Sequence, residues 1–155
     1  MYYSRINKHD IANGDGVRVS LWVSGCEQHC KGCFNKETWN FYNGRPYDIF
    51  TAFEIVKALE PEYISGLTIL GGEPLHHKNV GFVGQLLKMV RYIYGDTKTI
   101  WIYTGYIYED IKELDLLKYV DVLVDGPFIE EEKDIRLKFR GSRNQRILYL
   151  KEENT

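Results

Sequence analysis

The segment SGCEQHCKGCFN, residues 24 to 35, contains Cys26, Cys30 and Cys33, and these are all the cysteines of the 155-residue chain. Their spacing is C-x3-C-x2-C. Three thiols cannot all pair as disulfides. The opening MYYSRINKHDIANG lacks the apolar stretch of a secretory signal. The thiols are therefore expected to be reduced and working in a cytoplasmic setting. A thiolate is a metal ligand, and three of them crowded together repel unless a cation offsets their charge. Two metal chemistries compete. A structural zinc site closes on four ligands. The fourth would have to be His29, His9, His76 or His77, and His29 adjoins Cys30 too closely to share one tetrahedral centre with it. A cubane [4Fe–4S] cluster takes four cysteines. Three leave one iron open to a small molecule, as catalytic metals keep a position open. Gly25 and Gly32 allow the tight backbone that wrapping a compact object requires.

A second chemical signature is GGEP, Gly71 to Pro74. Two glycines let a backbone approach a ligand closely, and Glu73 can accept from an ammonium group. Alone, the tetrad also reads as a strand-to-helix turn. Thr104-Gly105 and Asp125-Gly126 end two further strands, and Asp125 has the same double reading, because Asp before Gly commonly caps a turn. NGDGVR, residues 13–18, is either an entry turn or a substrate-side loop that ends on Arg18. His76 and His77 read as a solvated pair near a helix start, and EEEKD, residues 130–134, as solvated surface. The 12 tyrosines show no spacing that would build a radical relay.

Regular elements must bring these signatures together. Short runs rich in β-branched and aromatic residues occur at VRVSLWVS (17–24), GLTILGG (66–72), KTIWIYTG (98–105), VDVLVDG (120–126) and RILYL (146–150). Helix-period stripes lie between them. Thr51 and Glu54 form a capping-box pattern ahead of Phe53, Val56 and Leu59. Val80, Val83, Leu86, Leu87, Val90 and Ile93 make a second stripe, and Ile107, Ile111, Leu114 and Leu117 a third. Strands alternating with helices predict an α/β fold with a parallel sheet. The strands read as apolar runs, which predicts cover on both faces. Every polar or Gly-rich signature follows a strand, at the edge where parallel α/β folds bind ligands. A closed eight-stranded barrel needs roughly 250 residues. The expectation is one domain, 1–155, built as a partial βα barrel of about five to six mostly parallel strands with helices outside. A run of ~18 apolar residues is absent, so no membrane span is expected. The net charge of −2 gives no reason to expect nucleic acid.

C-x3-C-x2-C after a first strand, with GGEP after the second, resembles the radical S-adenosylmethionine (SAM) superfamily. NGDGVRVSLWVSGC, CKGCFNKETWNF, VDVLVDGPF and FRGSRNQRI together resemble the small activating proteins of anaerobic (class III) ribonucleoside-triphosphate reductases. The resemblance runs from about Asn13 to Ile147. It implies that Cys26, Cys30 and Cys33 bind three irons of a [4Fe–4S] cluster, and that SAM chelates the fourth. It implies that Gly71, Gly72, Glu73 and Pro74 receive the SAM amino group. It places Gly32, Cys33 and Phe34 along SAM, although Gly32 stands where many members have an aromatic that touches adenine. Thr104 and Asp125 would sit near the SAM carboxylate, in some relatives around a monovalent cation. Pro127 replaces a lysine common in that motif. The implied partners are the large catalytic subunit of the reductase, whose backbone glycine loses a hydrogen atom, and an external electron donor of flavodoxin type. The rivals are a small radical SAM enzyme acting on a metabolite, of deazapurine-synthase type, an electron-transfer Fe–S protein and a zinc-stabilised module. Arg18, Arg143 and Asn144 are candidates for partner docking. The last two fall in a stretch, Ile135 to Lys151, with six basic residues and no acidic one.

Overall fold

The computed structural model of the chain describes residues 1–151. Seven strands form one open sheet: β1 (Tyr2–Asp10), β2 (Val17–Val23), β3 (Arg45–Pro46), β4 (Ile64–Gly71), β5 (Thr99–Tyr103), β6 (Val122–Asp125) and β7 (Arg146–Tyr149). Their order is β3-β1-β2-β4-β5-β6-β7. The centre, β2-β4-β5-β6, is parallel. Both margins are antiparallel, through β1 against β2 and β3 and through β7 against β6. The expected five parallel-type runs are all strands. β1 was not anticipated: it is polar, with exposed Ser4, Arg5, Lys8 and His9, because it lies near a margin and buries little. The expected α/β class and parallel centre stand, but the expected partial barrel of five to six strands is replaced by an open sheet of seven, because antiparallel β1, β3 and β7 extend its margins.

Three α-helices accompany the sheet: α1 (Ile49–Ala58), α2 (Val80–Tyr94) and α3 (Tyr108–Ile111). The start of α1 differs from expectation. Its cap is Asp48, whose side chain accepts from the Thr51 N–H while the Thr51 hydroxyl receives the Asp48 N–H. Thr51 is thus the third helical residue, not the cap, and the buried stripe moves to Ala52, Ile55 and Leu59, which leaves Phe53 exposed. In α2 the stripe Val83, Leu86, Leu87 and Val90 is buried as its period requires. The third stripe makes no long helix. It divides between α3 and a 3-10 turn at Asp115–Tyr119, which buries Leu116 and Leu117.

The two sheet faces differ. Val19, Leu21, Val23, Leu67, Ile69, Ile100, Ile102 and Leu123 pack with α1 and α2 in one apolar core. On the opposite face, alternation places Arg18, Ser20, Thr68, Trp101, Val122 and Val124. All six are buried. Trp101, Val122 and Val124 form their own small cluster with Tyr103, Phe139 and Ile147, so the irregular segment after β6 closes over this face. Two-sided cover was expected, and the second cover is chain without regular structure.

Candidate active site

The parallel centre brings the ends of β2, β4, β5 and β6 to one edge, followed by Ser24-Gly25-Cys26, Gly72-Glu73, Thr104-Gly105 and Gly126 respectively. Close backbone contacts join these ends. The Gly72 N–H donates to Val23 O at 2.8 Å and the Glu73 N–H to Gly25 O at 2.8 Å. A Cβ on Gly72 would stand 2.6 Å from Gly25 O and 2.9 Å from Thr38 O, so this crossing requires glycine. Asn79, buried just before α2, donates through Nδ2 to both Ser24 O (3.1 Å) and Glu73 O (3.0 Å).

A cavity of about 170 Å³ opens at this edge, and Cys26, Cys30, Cys33, Gly71, Gly72, Glu73 and Thr104 all line it. Seven of the residues singled out from the sequence therefore meet in one wall. All three thiols are free and partly exposed. Among the described residues, no three His, Cys, Asp or Glu side chains converge as the ligands of one metal ion. Thiols spread around a shared cavity fit a multi-iron cluster, in which each sulfur takes a different corner. Burial pushes the Cys26 thiol above its usual range, so ionising it needs a compensating cation. The His29 ring stacks on Trp39, with centroids 4.2 Å apart.

Glu73 is the floor of the cavity. It is 1% exposed, and its carboxylate accepts from the Leu75 N–H (3.0 Å), the Thr104 hydroxyl (2.8 Å), the Gly105 N–H (2.8 Å) and Gln28 Nε2 (3.4 Å). Burial pushes it up to about 7, against the opposing effect of the Leu75, Gly105 and Thr104 bonds. One carboxylate thus ties the ends of β4 and β5 to the cysteine loop.

The remaining candidates divide. Phe34 is exposed beside Cys33, with its ring 5.4 Å from Phe128, which lines the cavity. Gly32 adopts φ 77°, and a Cβ there would meet the Glu130 carboxylate at 3.0 Å. Pro74 is buried behind Glu73. Asp125 lies outside the cavity lining. Its carboxylate accepts from Arg146 Nε (3.0 Å) and Nη2 (2.5 Å) and from the Tyr108 N–H (2.8 Å), so the cation beside it is a guanidinium. Arg18 cannot dock a partner. It is fully buried, and its guanidinium donates to Thr68 Oγ1, Asp15 O, Thr99 Oγ1, Leu67 O and Thr99 O. Asn144 is also internal in role, donating to Pro127 O at 2.7 Å and accepting from the Ser142 hydroxyl at 2.6 Å. Arg143 alone of the three is exposed. Sequence reasoning passed over Gln28 and Gln145, which line the cavity, and noted Gly105 only as part of a strand-end signature. Gln28 lies inside the cysteine loop, and that position was the available signal.

A family model described as a 4Fe-4S single cluster domain matches residues 12–148. Three relatives share the same printed name, anaerobic ribonucleoside-triphosphate reductase-activating protein. The protein of Enterobacteria phage T4 is 44% identical over 95% of this chain and 93% of its own. That of Pasteurella multocida is 39% identical over 96% and 97%. That of Escherichia coli K12 is 37% identical over 97% and 100%.

Proposed function

The chain belongs to the family of anaerobic ribonucleoside-triphosphate reductase-activating proteins, and from that premise we propose that it is a glycyl-radical activating enzyme of the radical SAM type, a single domain acting in the cytoplasm. The observation that carries the reading is the convergence of Cys26, Cys30, Cys33, Gly71, Gly72, Glu73 and Thr104 on one cavity. The three thiolates hold three irons, and the spread of the thiols supports that assignment. When bound, the cluster supplies the electron that splits SAM into methionine and a 5′-deoxyadenosyl radical, which takes a hydrogen atom from a backbone glycine of the reductase.

The chain's own residues bind and orient. Gly71 and Gly72 bring backbone within reach of the SAM amino acid moiety, and Glu73 takes its ammonium. Ionised Glu73 is costly where it is buried, and an ammonium partner offsets that cost. Holding the sulfonium beside the electron source is proximity catalysis. Gly32 to Phe34, with Phe128, wall the outer side and exclude water. Thr104 fixes the Glu73 carboxylate from the cavity wall, on the side where the SAM carboxylate would lie. The reductase subunit reaches the cavity from the open side, and an external flavodoxin-like donor supplies electrons.

Anaerobic reconstitution tests the reading. Reduced protein should give a [4Fe–4S] EPR signal that SAM changes, then methionine and 5′-deoxyadenosine, and a glycyl radical once the reductase is added. A signal indifferent to SAM, without cleavage, leaves an electron-transfer protein instead.

A further inference from the structure

We propose that His76 is a positioning residue that clamps the cysteine loop to the segment after β4 by holding Glu27. The inference rests on the reading that these two segments carry the cluster and SAM. His76 was expected to be solvated and is 3% exposed. Its ring is enclosed by Phe41 on one side, with centroids at 4.7 Å, and by His77, at 4.2 Å. Both ring nitrogens are engaged. Nδ1 accepts the Lys78 N–H at 3.1 Å, which leaves the ring proton on Nε2. Nε2 lies 3.1 Å from Glu27 Oε1. The backbone therefore selects the tautomer, and the tautomer aims a donor at the residue after Cys26.

The position of this bond gives it its importance. The other strong ties between the segments stop at the base of the loop. The Glu73 N–H reaches Gly25 O, and Asn79 reaches Ser24 O. Beyond Cys26, the loop's links to the β4 end are the His76–Glu27 bond and the longer Gln28–Glu73 bond at 3.4 Å. His76 itself cannot swing, since Phe41 and the Lys78 N–H fix its plane. It is thus a rigid post, and the first cysteine lies between that post and the fixed base. Holding Cys26 sets how far one corner of the cluster stands from the Gly71–Glu73 backbone.

The full chain, reconstituted anaerobically, is compared with Glu27→Ala, Glu27→Gln, His76→Ala and the double alanine variant. Two quantities are read: the rate of iron loss to a ferrous chelator, and the SAM concentration that half-changes the EPR signal. Glu27→Ala should speed iron loss and weaken SAM by about 3- to 10-fold, the scale of one ordinary hydrogen bond. Glu27→Gln keeps an acceptor for Nε2 and should stay within about 2-fold of the parent. The double variant should be no worse than the worse single one, because the two residues form one interaction. Glu27 is 65% exposed, so its removal leaves the thermal midpoint of the metal-free protein unchanged, whereas a purely structural contact would lower it. The proposal is overturned if Glu27→Ala matches the parent in both quantities, or if the two alanine effects add. Should the parent's EPR signal ignore SAM, the SAM reading falls, and iron loss still decides the clamp.

Discussion

The cysteine loop and the floor beneath it are built in opposite ways. From Cys26 to Asn35 the backbone forms no strand or α-helix, its thiols are half-buried at the cavity, and Phe34 is exposed. Its internal bonds are few: the Cys33 N–H to Cys30 O, and the Asn35 N–H to the Cys33 sulfur at 3.4 Å. The floor, Gly71 to Leu75 with Thr104 and Gly105, sits at the ends of two buried strands and is knit by the Glu73 carboxylate. The floor is held by the fold itself. Among the described residues, the loop is tied to the floor only at its base and through Glu27 and Gln28. Damage to the loop should therefore cost metal and leave the fold, and damage to the floor should cost both fold and ligand.

The largest expected effect is on the loop side. Cys26→Ser, Cys30→Ser and Cys33→Ser each remove one corner ligand. Iron content and the brown absorbance should collapse after reconstitution, while the thermal midpoint of the metal-free protein stays close to that of the parent. A serine variant that retains four irons and cleaves SAM at the parent's rate would refute the ligand assignment.

The floor gives the next largest effect, and its sign depends on pH. Glu73 rises from its ordinary value of 4.5 to about 7 in the fold. A carboxyl raised by folding contributes stability below the unfolded value and loses it as pH climbs through the folded one. The metal-free parent should lose on the order of 3 kcal/mol from this residue between about pH 4.5 and pH 7. Glu73→Gln should abolish that slope, measured by denaturant unfolding at pH 5 and pH 8. It should also lower stability at pH 5, because the amide turns an N–H toward the donors of Leu75, Thr104 or Gly105. If an ammonium is the natural partner of Glu73, SAM should bind the parent more tightly as pH rises through 7. A flat binding profile would separate Glu73 from SAM.

Legibility in the sequence follows the same division. The loop could be read because its chemistry is carried by residue type and spacing, which need no partner to be recognised. The parallel centre could be read because β2, β4, β5 and β6 are apolar runs with glycines or acids at their ends. Glu73 was visible as a site residue, but its bonds to Thr104 and Gly105 were not, since they join residues 31 and 32 positions apart. The partners of Asp125 and Arg18 were hidden for a related reason. Each is a charged residue beside a glycine-containing turn. What decides its role is Arg146 on β7 in one case, and Thr68 and Thr99 on neighbouring strands in the other. β1 and the Asp48 cap were missed because a polar marginal strand and a cap lying three residues before the expected one leave little trace in periodicity.

The smallest effect is expected at the surface that neither region needs for its own integrity. Within the basic stretch from Ile135 to Lys151 several charges are already paired. Arg136 holds Asp134, Arg146 holds Asp125 and Glu109, and Arg140 donates to Gln145 O. Arg143 is exposed, with its backbone N–H fixed to Glu132 O at 2.9 Å, so its side chain projects from an anchored turn. The next residue but one, Gln145, lines the cavity and braces Gly126, Gly141 and Ser142. A partner that touches Arg143 would therefore stand at the cavity's margin. Reversing an exposed charge changes encounter rate and orientation more than stability. Arg143→Glu should leave the thermal midpoint and uncoupled SAM cleavage unchanged and slow glycyl-radical formation on the reductase by about 3- to 10-fold at low salt. Raising the ionic strength should shrink the difference between parent and variant. If SAM cleavage falls in parallel with radical formation, Arg143 acts on the SAM pocket through Gln145, and if neither rate moves at low salt, the docking face lies elsewhere on the molecule.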